Sequence, residues 1–436
     1  MKTFHSAGTF FPPGKKSPAA PLASAAFIFT LSVTPLWAEG FRNPPPGTFN
    51  LGRAGGRIAH VDDSSAIAQN PANLVSITNV DLQFTPTIVY IKVDYRSASN
   101  PGETASTKNP WKTLPNLFAS APFFDNRLAL GLGITTPYGL SNEWDKKSSA
   151  FANASPTSLR YNSAHYSALT TVNFNPTLSV KAGEYLNLGV GIDVMWSQLT
   201  LKQFFPWGMV VPGAPDGNFR AKADGIGGGA NFGATLHITE HQNFAITVRT
   251  PIKVNYGGHV SLDNYPAGGS LRDTFKSSIE FPTIVAAGYG IDLTDTIRLE
   301  TDVEWLEFSN FKNLPLRSAT AQALGVPSTV AENWKNTFTF GVGGDWKFAP
   351  GWVFRAGYQY YESPVPDTTF SPTIPDSDQN VITFGLGYTH GKHSLEGAYG
   401  LDFYNDRNIN NDQNPALNGK YSMNVHLFSF SYRYSF

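Results

Sequence analysis

From about Asn79 to Phe436 the apolar residues of this chain alternate with polar ones in about fourteen segments, and that pattern limits the fold more than any other feature. A period of two belongs to strands, whose successive side chains point to opposite faces. Near the C-terminus Phe338, Phe340, Val342, Trp346 and Phe348 share one face; Thr337, Thr339, Gly341, Gly343, Asp345 and Lys347 share the other. Leu186, Leu188, Val190, Ile192, Val194 and Trp196 repeat the pattern, as do Ile382, Phe384, Leu386 and Tyr388. Ile297, Leu299, Val303 and Trp305 oppose Arg298, Glu300, Asp302 and Glu304. A soluble sandwich would bury such apolar faces in protein, whereas a membrane barrel would turn them to lipid.

The connections favour the barrel. Strands are expected at 80–95, 112–124, 127–141, 158–181, 186–204, 220–238, 243–261, 274–291, 296–311, 333–348, 352–364, 380–390, 393–404 and 420–436. The links between them alternate, long at 96–111, 142–157 or 312–332 and short at 125–126, 293–295 or 349–351. Short periplasmic turns with long outer loops, and an even strand count, mark an outer-membrane barrel with both ends in the periplasm. Closure pairs every backbone group between strands, as a water-free environment demands. The fold class is therefore all-β: an antiparallel transmembrane β-barrel of about 14 strands over residues 80–436, in the cell outer membrane.

No stretch reaches the 18 or more apolar residues of a spanning helix. The one continuous apolar run, Leu22 to about Leu36, follows Lys2, Lys15 and Lys16 and precedes the first acid, Glu39. It reads as a signal peptide, residues 1–38, cleaved after Ala38; a membrane anchor is the alternative, against which the short run and Pro35 argue. Removing it takes away three of the 32 Lys+Arg and none of the 33 Asp+Glu, leaving 29 basic against 33 acidic residues, a net −4. That balance argues against a nucleic-acid partner. The absence of Cys excludes a disulfide framework or a thiolate metal site.

Residues 39–79 do not alternate. They contain Pro44 to Pro46, a glycine-rich Gly52 to Gly56, and a stretch from Asp62 to Leu74 that reads as short helix, capped by Asp62 or Asp63 and ending near Asn70-Pro71. Such a segment either hangs in the periplasm or folds inside the lumen as a plug.

Here the chain resembles a known family. Gly40-Phe41, Leu51-Gly-Arg-Ala54, Asp62-Asp63 and Asn70-Pro-Ala72 have the order and approximate spacing of the N-terminal hatch of the FadL family of outer-membrane long-chain fatty-acid and aromatic-hydrocarbon transporters. Gly131 to Leu140, Trp334 to Thr337, Arg355 to Gly357 with Ser363 to Pro366, and Ile374 to Asp376 with Asp378 are similar to further family motifs. The resemblance implies a fourteen-stranded barrel with a hatch of short helices in the lumen, and passive uptake of a hydrophobic ligand that leaves through a gap in the wall. It also implies roles. Phe41 resembles the aromatic residue that plugs the family's pocket; a loose chain end is the less favoured alternative. Lys335 shares the parity of lumen-facing Thr337, or sits on the rim; Lys202 lies where relatives offer a second basic group. Arg53, Asn70 and Pro71 would shape the hatch. Gly131, Gly133, Pro137 and Gly139 would kink the third strand, or simply mark its end.

The remaining charges, Arg249, Arg298, Arg355 and Arg433 with Asp193, Glu300, Asp302, Glu304, Asp345 and Glu396, are expected to pair inside the barrel. No nucleophile, zinc or phosphate-loop motif accompanies them, so no enzyme, cofactor or metal is expected. The expected partners are a hydrophobic small molecule, outer-membrane lipid, and the assembly machinery that reads a terminal strand with Phe428, Phe430, Tyr432, Tyr434 and Phe436 on one face; the protein is expected to be a monomer. A general porin for polar solutes and a surface adhesin or hydrolase stand as alternatives.

Overall fold

The alternation becomes fourteen antiparallel strands. The computed structural model describes residues 40–410 and 414–436, and the expected signal peptide lies outside them. Strand β1 runs Asp81–Phe84 and Thr87–Ser97; β2 runs Thr104–Ser106, Trp111–Leu114 and Leu117–Phe123; β3 runs Leu128–Thr135 and Gly139–Glu143. There follow β4 (Tyr166–Lys181), β5 (Leu186–Phe205), β6 (Gly217–Thr239), β7 (Gln242–Arg249 and Ile252–Leu262) and β8 (Leu271–Phe281 and Ile284–Thr294). The last six are β9 (Ile297–Leu306), β10 (Thr337–Ala349), β11 (Trp352–Tyr361), β12 (Gln379–His390), β13 (His393–Tyr404) and β14 (Gly419–Ser435). The sheet closes because β14 pairs with β13 through His393↔Tyr434 and with β1 through Thr87↔Ser429. Closure removes the edge that would otherwise expose unpaired backbone groups.

The two faces separate as the period of two requires. On β10 Phe338, Phe340 and Val342 are about half exposed, while Thr337 and Thr339 are fully buried. Outward Leu188, Val190, Ile192, Val194, Ile382, Phe384 and Leu386 continue the apolar band. At the terminus Phe436 donates its N–H to Val80 O (2.9 Å), and its side chain points outward.

Several expected boundaries shift, and three of the shifts have a visible cause. The strand predicted from residue 158 starts at Tyr166, and Leu159–Asn162 is a helical turn instead. Leu159 is buried beside Phe151, and Arg160 is clamped by Asp216 (2.7 Å) and by the Phe204 ring (3.7 Å), so their alternation reflects loop packing. The strand expected to reach 311 ends at Leu306, where the turn Phe308–Asn310 carries Phe308 and Phe311 into a buried cluster. The helix expected over 62–74 breaks into Ala66–Gln69 and a 3-10 turn, Pro71–Ser76. Asp63 accepts the Ser65 N–H (2.9 Å) at its start. Pro71 has no N–H to continue the helix, so Asn70 turns extended and its side chain accepts from Ala72 N at 3.0 Å.

Residues 40–79 pack against lumen-facing residues. Glycine makes this possible: a Cβ on Gly55 would lie 2.3 Å from Gly341 Cα, and one on Gly343 would lie 2.2 Å from Arg53 O. Both polypeptides must be bare for their backbones to approach so closely.

Candidate functional site: a wall window, a latch and a cavity

Strand β3 loses a neighbour halfway along. Leu128–Thr135 pairs with β2 on one side and β4 on the other, whereas Gly139–Glu143 pairs only with β4. On the facing strand Trp111–Leu114 pairs only with β1. The register across to β4 moves from Thr135↔Asn173 to Gly139↔Thr170, so three residues oppose two, with Pro137 in the middle. Proline has no N–H to give the ladder, and a bulge bends the strand away. The strands rejoin above, where Lys108 N donates to Glu143 O (2.6 Å) and Asp145 N to Ser106 O (2.9 Å). A window results between residues 111–115 and 136–142.

The start of the described chain is bonded to that kink. Gly139 N donates to Phe41 O (2.9 Å), Asn43 N to Pro137 O (3.0 Å) and Asn43 Nδ2 to Thr136 O (2.8 Å). Residues 41–43 thus supply partners that the diverted strand lacks. The Phe41 ring sits among Tyr138, Phe281, Phe308, Phe311 and Trp334, with centroids 4.9 to 6.1 Å away and mostly edge-on, the preferred aromatic arrangement. Gly40 N donates to the Asp376 carboxylate (3.1 Å), which also accepts from Ser363 Oγ (2.5 Å). Glu332 accepts from Trp334 Nε1 (3.2 Å). Both acids lie in outer loops, where burial pushes the Asp376 carboxyl up to about 6 and that of Glu332 up to about 8.

Behind the window lies a cavity of about 510 Å³, within the range of small-molecule sites. Its walls include Val89, Ile91 and Val93 of β1, both rims of the window, and Pro44, Leu51 and Ala54 of the plug. The cavity and the window are therefore continuous.

Below it, charge fixes the plug. Arg53 bonds Glu300 and Asp345, both at 2.8 Å; Arg57 pairs with Glu304, which also binds Arg42 at 2.6 Å. Ile58 N and Ala59 N donate to Glu300 Oε1 at 2.8 and 2.6 Å, and Arg57 N donates to Asp302 Oδ2 at 2.7 Å. The acidic row on β9 is thus an acceptor comb for the plug.

A family model described as outer membrane protein transport protein (OMPP1/FadL/TodX) matches residues 30–436. The chain belongs to that family. The long-chain fatty acid transport protein of Escherichia coli strain K12 is 23% identical over 459 residues, covering 95% of this chain and 98% of the relative. A solved Pseudomonas aeruginosa FadL homologue superposes with a TM-score of 0.78 at 22% identity, over 91% of this chain and all of that one. The Pseudomonas putida toluene transporter TodX gives 0.73 at 16%, over 91% and 100%.

In this FadL/TodX-family barrel the residues singled out from sequence fall in different places. Phe41, Pro137 and Gly139 meet at the kink. Gly131 and Gly133 do not: they stay fully paired, and their bare Cα atoms admit the plug, since a Cβ on Gly131 would lie 2.7 Å from Ile67 Cδ1. Arg53 is locked in the charge cluster, and Asn70 bonds Ile58 O (2.8 Å) and Thr235 (2.9 Å), while Pro71 rests on Gly189. Lys335 pairs with Glu362 at 3.5 Å and Lys202 lies over the Tyr166 ring at 4.5 Å; neither lines the large cavity. Sequence reasoning did not single out Arg57, Glu332, or the Phe308 and Phe311 pair. The last two stood at the frayed end of an alternating segment, where a turn and a strand look alike.

Proposed function

We propose that this outer-membrane transporter of hydrophobic compounds takes up long-chain fatty acids passively, without a catalytic step. The ligand occupies the cavity, residues 40–43 detach from the β3 kink, and the acyl chain leaves sideways through the window into the bilayer. The observation that carries this reading is the continuity of an apolar-walled cavity with a break in the wall. Sideways exit spares the hydrocarbon tail a passage through water, which would cost about 0.8 kcal/mol per methylene. The similarity to fatty acid transport proteins along almost the whole chain supports it. A second reading, uptake of monoaromatic hydrocarbons, draws on the aromatic cage around Phe41, which could accept another ring in exchange. A porin for polar solutes finds less support, because residues 40–79 are pinned across the lumen. Lipid would meet the apolar band, the assembly machinery would read the strand ending at Phe436, and one chain would suffice as the working unit.

The chain has no cysteine, so a lock can be added cleanly. Arg42 and Tyr138 form an antiparallel bridge, a pairing whose Cα separation suits a disulfide. Cells carrying Arg42→Cys with Tyr138→Cys should lose uptake of a radiolabelled long-chain fatty acid on oxidation and recover it on reduction. Equal uptake in both states would sink the latch model; toluene uptake measured in parallel would decide between the two ligand classes.

A further inference from the structure

Outside the plug two lysines line the cavity, Lys108 and Lys112, and Lys108 is paired with Asp145 at 3.0 Å. Lys112 stands on β2 at the rim of the window, and its Cα pairs with that of Val89, whose side chain is buried in the lumen. Directly paired residues point to the same face, so Lys112 also points inward, and it lines the cavity. Its neighbours Trp111 and Thr113 are more exposed and border the opening.

The other charged groups around the cavity are engaged. Arg42 pairs with Glu304 at 2.6 Å and Lys108 with Asp145 at 3.0 Å. Asp376 is bonded to Gly40 and Ser363, and Asp402 stands on β13 across the cavity. The field of Glu143 reaches Lys112, but that carboxylate accepts from Asn109 Nδ2 at 2.7 Å. Among the described residues, the Lys112 side chain has no hydrogen-bond partner and no ion pair. A half-buried ammonium without an anion carries a desolvation cost that an incoming anionic group would offset.

We infer that Lys112 is a specificity-determining residue that binds the carboxylate of an amphipathic ligand at the edge of the window. A neutral hydrocarbon gains nothing from it, whereas a long-chain carboxylate gains a charge-assisted hydrogen bond beside the opening through which its tail departs. The inference rests on the uptake reading above and narrows it to anionic lipids.

The test compares binding of oleate and of the matched oleyl alcohol to purified, full-length mature protein in mild detergent. Wild type should bind oleate more tightly. Lys112→Met keeps the side chain's length and should weaken oleate about tenfold or more, leaving the alcohol unchanged, and Lys112→Arg should restore oleate. Unchanged oleate binding in Lys112→Met would overturn the inference, as would equal weakening of both ligands, which marks a packing defect. If wild type binds both ligands without preference, the role of Lys112 fails while hydrophobic uptake survives. If wild type binds neither, the uptake reading itself fails.

Discussion

Two stretches of the lumenal segment are held in opposite ways. Residues 53–59 are fixed by buried charge, with Arg53 and Arg57 bonded to carboxylates of β9 and β10. Residues 40–43 are held by a few backbone hydrogen bonds, one phenyl ring and the Arg42–Glu304 pair. Removing Arg53 strands a buried carboxylate, whereas withdrawing residues 40–43 frees a ring from an aromatic cage and leaves Glu304 still paired with Arg57. The same segment therefore combines an anchor with a latch, and only the latch can open at low cost.

That contrast can be broken at four points. The largest effect is expected from Arg53→Ala, which leaves Glu300 and Asp345 without their shared cation; barrel stability in denaturant should fall by about 3–5 kcal/mol. Wild-type stability in that variant would show that charge is not the anchor. Next, Gly55→Ala places a methyl group against the Gly341 backbone and should cost about 1–3 kcal/mol in the same titration. Phe41→Ala should leave global unfolding nearly unchanged and loosen the latch on the order of tenfold, read as protease access to residues 40–43. A large global loss there would erase the distinction between the two stretches.

The smallest effect concerns pH. The folded values of Asp376 and Glu332 lie above their ordinary values of 3.8 and 4.5. Their stabilising contribution is thus complete below those ordinary values and is lost as pH rises through about 6 and about 8. The latch should release more readily at pH 8 than at pH 5. Glu332→Gln should flatten that difference, measured as protease access to residues 40–43 relative to an unstructured peptide at each pH.

Much of the wall was legible in the sequence. Strand periodicity placed Phe340 outward and Thr339 inward and gave the count of about fourteen, and the alternation of long and short links marked a membrane barrel. The plug was legible as a segment without that period. Its contacts were not, because the residues that meet are remote in the chain: Arg53 and Glu300 are 247 positions apart. Gly131 and Gly133 show the same limit, since a bare strand position can mean either a broken ladder or a neighbour that needs room. Both glycines serve the neighbour.

The cations make the clearest case. Lys335 and Lys202 stood out by motif and position, yet the cavity wall holds Lys112 instead. Sequence by itself determined the closed barrel, its outward apolar band, and the stretch that must be something other than strand, because each follows from a local period of two. Only the tertiary structure decided where the wall opens, which carboxylate each arginine meets and which lysines line the cavity. Those depend on the height of a residue along the barrel and on whether a neighbouring strand is present, and a local period encodes neither.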